Sequence, residues 1–96
     1  MISLPQPDLR LDVSGKFCPV PVIEMAKAIK SVGSGQVIEL LATDPGVESD
    51  FPAWCRATRN ELVALVQEGR TFRVFVRHGP EPRAGLAAPS RSADGS

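Results

Sequence analysis

Cys18-Pro19-Val20-Pro21 is the place in this chain of 96 residues where residue types and spacing could do chemistry. Proline disfavours the α region for the residue before it, so Cys18 reads as the N-cap-like residue of a helix. Pro19 and Pro21 then fall in the first turn, where main-chain N–H groups have no intrahelical partner in any case. Two prolines there cost few hydrogen bonds and fix the backbone. The remaining N–H groups and the helix dipole aim positive potential at the sulfur, and Lys16 adds to it. The expectation is an exposed, rigidly held thiol, more acidic than free cysteine with its pKa of about 8.5.

Plainer readings compete, since prolines often start helices and many cysteines are small core residues. Cys, Pro and Pro at this spacing, at a strand–loop–helix junction, favour the chemical reading. Dithiol exchange lacks a nearby resolving partner, because the other cysteine is Cys55 and there is no Cys-x-x-Cys. The single histidine, His78, closes a strand-like run and reads as a solvated terminus. Activation of Cys18 therefore falls to the helix start. Two cysteines and one histidine leave no zinc set and no disulfide scaffold, and no cofactor is called for.

The elements that must position the thiol follow from changes of hydrophobic period. Asp8 to Val13 alternates polar and apolar residues, as a half-buried strand does. Ser14 to Phe17 is a loop. From Pro19, the residues Val22, Ile23, Met25, Ala26, Ile29 and Val32 follow helical spacing up to Gly33. Gln36 to Ala42 is a second strand. Asp44-Pro45 is an N-cap followed by proline, so a helix should begin there. It carries Val47, Phe51, Trp54 and Cys55 inward, with Pro52 implying a loose or 3₁₀ start and regular helix from about residue 50 to 58. Glu61 to Gln67 and Phe72 to His78 form a hairpin around a glycine turn.

The order βαβαββ predicts an α/β (α+β) two-layer sandwich: a four-stranded mixed sheet with two helices on one face. The last strand should turn Phe72, Val74 and Val76 to the helices. Arg73, Phe75 and Arg77 then face away with Val37, Glu39, Leu41, Val63 and Leu65, an apolar face for open solvent. Domain organisation reads as a flexible arm (1–7), one folded unit (8–79) and a disordered tail (80–96) rich in Pro, Gly, Ala, Ser and Arg.

Composition narrows the classes. Eleven basic and eleven acidic residues give a formal net charge of zero, which disfavours nucleic acid as a partner. No apolar run approaches the ~20 residues of a membrane span, and no signal peptide is visible, so the expected address is cytoplasmic. Three function classes remain. They are a thiol carrier, a non-catalytic regulatory or scaffold domain binding through the open sheet face, and, weakest, an RNA-binding fold.

The segment Leu11-Asp12-Val13-Ser14-Gly15-Lys16-Phe17-Cys18-Pro19-Val20-Pro21 resembles the opening signature of the TusA/SirA family of small sulfur-carrier proteins. Ala42-Thr43-Asp44-Pro45 with Asp50-Phe51-Pro52-Ala53-Trp54-Cys55 is similar to the family's second-helix region. The resemblance spans about residues 9–79. It implies the βαβαββ fold and sulfane sulfur carried as a persulfide on Cys18, with Pro19 and Pro21 as the motif prolines. Val20 departs from members with Glu between the prolines. The implied partners are a sulfur-donor protein (cysteine desulfurase or rhodanese-like) and a sulfur-acceptor protein. Exposed Phe17, with Lys16, would support docking, as would the Asp44 to Val47 loop. Cys55 reads as a packed helix residue, not a second carrier.

Overall fold

The computed structural model describes residues 4–80; the expected tail lies outside them from residue 81 onward. Seven elements follow in order: β1 (Leu9–Asp12), α1 (Val20–Ala28), a 3₁₀ turn (Ile29–Ser31), β2 (Val37–Ala42), α2 (Val47–Thr58), β3 (Glu61–Glu68) and β4 (Thr71–Arg77). The strands form one sheet in the order β1-β2-β4-β3. β1 runs parallel to β2, while β4 is antiparallel to both β2 and β3. The α/β sandwich expected from the sequence is the observed fold.

The core lies between sheet and helices. Ile38, Leu40, Phe72, Val74 and Val76 from the sheet meet Met25, Ile29, Val47, Phe51 and Cys55 from the helices. Each fully buried large side chain contributes about 1.5–3 kcal/mol relative to exposure, so Phe51, Met25 and Leu40 are principal contributors. The Phe51 and Trp54 rings meet edge to face with centroids 6.1 Å apart. The β3–β4 hairpin turns through Gly69 and Arg70; Gly69 takes φ +64°, which favours glycine at the first turn position.

Three expectations need correction. Regular helix begins in α2 at Val47, not near residue 50: Pro52 sits inside the helix without delaying its start. Ile23, grouped with the inward positions of α1, is 45% exposed, while Pro21 and Met25 take the buried stripe. The third correction concerns the sheet face away from the helices. A register shift between Leu62 and Ala64 resets the phase of β3, so that Leu65 pairs with inward Val74 and packs on the core. The face is also not bare hydrocarbon. Glu39, 3% exposed, binds Arg10 at 3.0 Å and Arg73 at 2.7 Å, and Arg73 also reaches Glu68 at 3.1 Å. The Arg73 guanidinium lies 5.3 Å from the centre of the Phe75 ring, and that ring is fully buried. Of the residues that favoured a scaffold role, Leu65 turns to the core and Phe75 is covered, while Leu41 stays partly exposed on that face.

Candidate functional site

The thiol of Cys18 sits in the β1–α1 loop beside the β2–α2 loop, at the carboxyl ends of the two parallel strands. Thr43 Oγ1 accepts the N–H of Gly15 at 2.8 Å, and Asp44 Oδ2 accepts the N–H of Cys18 at 2.6 Å. These two bonds hold the cysteine loop against the chain 26 to 28 residues further on. Phe17 is 77% exposed next to the thiol, Lys16 and Pro19 are exposed, and Cys18 itself is half-buried.

Cys18 is not the N-cap. The carbonyl of Pro19 accepts the first intrahelical bond, from Ile23 N–H at 3.0 Å, which makes Pro19 the N-cap and puts Pro21 in the second helical position. The expected anion-binding helix start is also depleted of donors. Pro19 and Pro21 have no N–H, and the N–H of Val20 is taken by the carbonyl of Phe17 at 2.9 Å. Pro21 is fully buried, so it fills the core as well as shaping the turn.

The sulfur instead lies against the start of α2. A methyl group placed on Gly46, the N-cap of α2, would sit 3.1 Å from Cys18 Sγ and 3.5 Å from Asp44 Oδ2. The first turn of α2 has spent its donors nearby: Gly46 N–H on Asp44 Oδ1 at 3.2 Å, Val47 N–H on the Asp44 carbonyl at 3.2 Å. Asp44 is thus an Asx turn two residues ahead of the cap, which corrects its reading as the N-cap itself. Around the sulfur stand two carboxylates. Burial, and then the carboxylates of Asp50 and Asp44, push the Cys18 thiol up to about 12. The expected depressed thiol pKa is reversed: the resting thiol holds its proton. Asp44 is held below the ordinary carboxylate value by the Cys18 N–H, then by the thiol and the Gly46 N–H.

Cys55 lies in α2, 4% exposed, and burial pushes its thiol up to about 11. It is a core residue, as its helical spacing indicates. A shallow depression of about 710 Å³ opens beside the cysteine loop between Gly15, Thr43 and Pro45 on one side and Gln67 and Arg70 on the other. The thiol does not line it. Among the described residues no cluster of His, Cys, Asp or Glu could hold a metal ion, and no helix is long and apolar enough to cross a membrane.

Sequence reasoning named Cys18, Pro19, Pro21, Lys16 and Phe17, and these do lie together on one loop and helix start. It placed the Asp44 to Val47 loop at the site but missed the reach of the Asp44 carboxylate to the cysteine, Asp50 as a neighbour of the sulfur, and Ile23 as an exposed apolar residue of the same segment. The Asp-Pro pair was visible, but its side chain's reach to Cys18 is a long-range contact that local patterning does not carry.

Comparison with known proteins identifies the family. The family model described as sulfurtransferase TusA matches residues 9–78. The sulfur carrier protein TusA of Allochromatium vinosum is 40% identical over 70 residues, 73% of this chain and 92% of that protein. A putative sulfur carrier protein of Archaeoglobus fulgidus is 36% identical over 67 residues, 70% of this chain and 92% of its own length. The crystal structure of a SirA-like protein from Desulfitobacterium hafniense shares the fold, with a TM-score of 0.65 and 20% identity over 75% of this chain and 99% of that one. A matched segment running from the first strand to the end of the last, with Cys18 on the loop between its first two elements, leaves one assignment: the chain belongs to the TusA family of sulfur carriers.

Proposed function

We propose that Cys18 takes up sulfane sulfur as a persulfide and relays it to a partner's thiol or a small acceptor, in tRNA thiolation, cofactor biosynthesis or sulfur oxidation. The observation that carries this reading is the contrast between the two cysteines. Cys18 reaches the surface beside exposed Phe17, whereas Cys55 is sealed in the core. In the loading step the Cys18 sulfur attacks the outer sulfur of a donor persulfide. A new S–S bond forms while the donor's own S–S bond breaks. The donor's inner sulfur leaves with the electron pair and takes up the proton that Cys18 gives up. Unloading repeats the exchange, with the acceptor thiol as nucleophile and Cys18 as the leaving sulfur.

Because the empty thiol is held protonated, the proton must be removed as the donor arrives, which fits a carrier whose reactivity depends on docking. Phe17 and Ile23, the exposed large apolar residues of this segment, suit a small transient interface with a sulfur-donor protein (cysteine desulfurase or rhodanese-like) and then an acceptor. The chemistry stays within sulfur exchange, and independent turnover as a sulfurtransferase is the enzymatic form of the same proposal.

The test is mass spectrometry after incubation with a sulfane-sulfur donor. The protein gains about 32 Da per sulfur on Cys18, removable by a thiol reductant, and Cys18→Ser gains none. Sulfur loading that persists in Cys18→Ser overturns the assignment.

A further inference from the structure

We propose that Asp44 is a positioning residue for sulfur transfer at Cys18, a role that rests on the carrier reading above. Its carboxylate divides between two loops. Oδ2 accepts the Cys18 N–H at 2.6 Å and Oδ1 accepts the Gly46 N–H at 3.2 Å, so one side chain fixes both the sulfur's backbone and the helix start beneath it. The cysteine loop needs such an anchor. The Ser14, Lys16 and Val20 N–H groups bond within the β1–α1 segment itself, so the other tie to the β2–α2 loop is the Gly15–Thr43 bond.

The placement is close. The space above Gly46 Cα is shared by Cys18 Sγ and Asp44 Oδ2, both near the point a methyl group there would occupy. The titratable groups that face the thiol are Asp44 from the β2–α2 loop and Asp50 from α2, while Lys16 stands exposed two residues along the thiol's own loop. The hydrogen bond therefore places the sulfur, and the charge that makes the bond strong also keeps the proton on it. A carrier held this way offers little thiolate to stray oxidants or electrophiles while empty, because the thiolate is the reactive form.

Two substitutions in the full chain separate bond from charge. Asp44→Asn keeps a carbonyl oxygen for the Cys18 N–H and loses the charge; Asp44→Ala loses both. The alkylation rate of Cys18 with iodoacetamide, followed against pH, reads the thiol's titration. The midpoint for Asp44→Asn should fall by about one pH unit, giving about tenfold faster alkylation below it, while remaining above the free value because burial and Asp50 persist. The midpoint for Asp44→Ala should fall further, toward about 8.5, as the unanchored loop exposes the sulfur. A second readout uses protein loaded with inorganic polysulfide: discharge to added thiol should be about tenfold faster in Asp44→Ala, with Asp44→Asn within about threefold of the parent.

Coincident profiles for the parent and Asp44→Asn would remove the charge coupling. Coincident profiles and discharge rates for Asn and Ala would remove the positioning role. Either result overturns the proposal, and thermal melts identify a variant that has simply unfolded. The alkylation series decides Asp44 without reference to sulfur loading, whereas failure of the parent to gain mass counts against the carrier reading itself.

Discussion

Arg73 and Glu39 pair at 2.7 Å between adjacent strands, on the side of the sheet that carries no helix. Glu39 is nearly inaccessible and Arg73 is only 26% exposed, so this pair is shielded far more than a surface salt bridge. It also holds the guanidinium over Phe75. That sheet face carries an ion-pair network, and among the described residues the exposed large apolar side chains, Phe17 and Ile23, lie on the thiol segment instead.

Arg73→Ala should therefore cost stability without touching sulfur chemistry. Removing the guanidinium leaves a buried carboxylate with Arg10 alone and uncovers Phe75, a loss of about 2–3 kcal/mol by urea denaturation. Sulfur loading of Cys18 should match the parent. Impaired loading in a folded Arg73→Ala protein would tie the sheet face to the site after all.

The bulge in β3 makes a paired prediction. Leu65 packs on the core and Val66 pairs with outward Arg73. Leu65→Ala should cost about 2–3 kcal/mol and Val66→Ala about 1 kcal/mol or less in chemical denaturation. The reverse order would place the register shift elsewhere.

Cys55→Ala should retain sulfur loading and lose about 1 kcal/mol, since the sulfur fills part of the packed core. Cys55 in the parent should alkylate far more slowly than Cys18 at the same pH, as measured by peptide mapping after timed labelling.

Pro21→Ala should weaken the fold by about 1–2 kcal/mol, because the fully buried ring loses two methylene groups' worth of packing. A melting temperature equal to the parent's would show that the ring contributes only through backbone restriction.

Alkaline pH gives a further check. Burial leads the upward shifts of both thiols, to about 12 for Cys18 and about 11 for Cys55. In the unfolded chain they return to about 8.5, so above that pH the unfolded state releases protons that the folded state keeps. Their contribution to stability is complete below about pH 8.5 and is lost as pH rises toward the folded values, at up to about 1.4 kcal/mol per pH unit for each thiol. Melting temperature should fall above about pH 9, and less steeply in Cys55→Ala.

The order of elements, the inward stripe of α2 and the place of Cys18 were legible because each depends on neighbours within a turn or two. What was not legible depends on distant partners. Leu65 follows the alternating pattern of its strand, and only the shift at Leu62–Ala64 turns it inward. Asp44 has the residue type of a helix cap, yet one of its oxygens serves a loop 26 residues earlier. The acidity expected of Cys18 failed for a related reason. Burial by the fold raises the thiol first, the carboxylates that face it come from the β2–α2 loop and α2, and the motif prolines strip their own helix start of donors.

The strand order has a consequence for how the chain is made. β4, last of the described strands in sequence, lies inside the sheet between β2 and β3. As a nascent chain emerges from its N-terminus, β2 keeps an unpaired edge and the core lacks Phe72, Val74 and Val76 until Thr71–Arg77 arrives. The cysteine loop is translated early, but the packed sheet that steadies the β2–α2 loop beneath it comes together only with this strand. Synthesis thus exposes the thiol before its surroundings exist, and completion of the sheet is the event that turns an ordinary cysteine into a governed one.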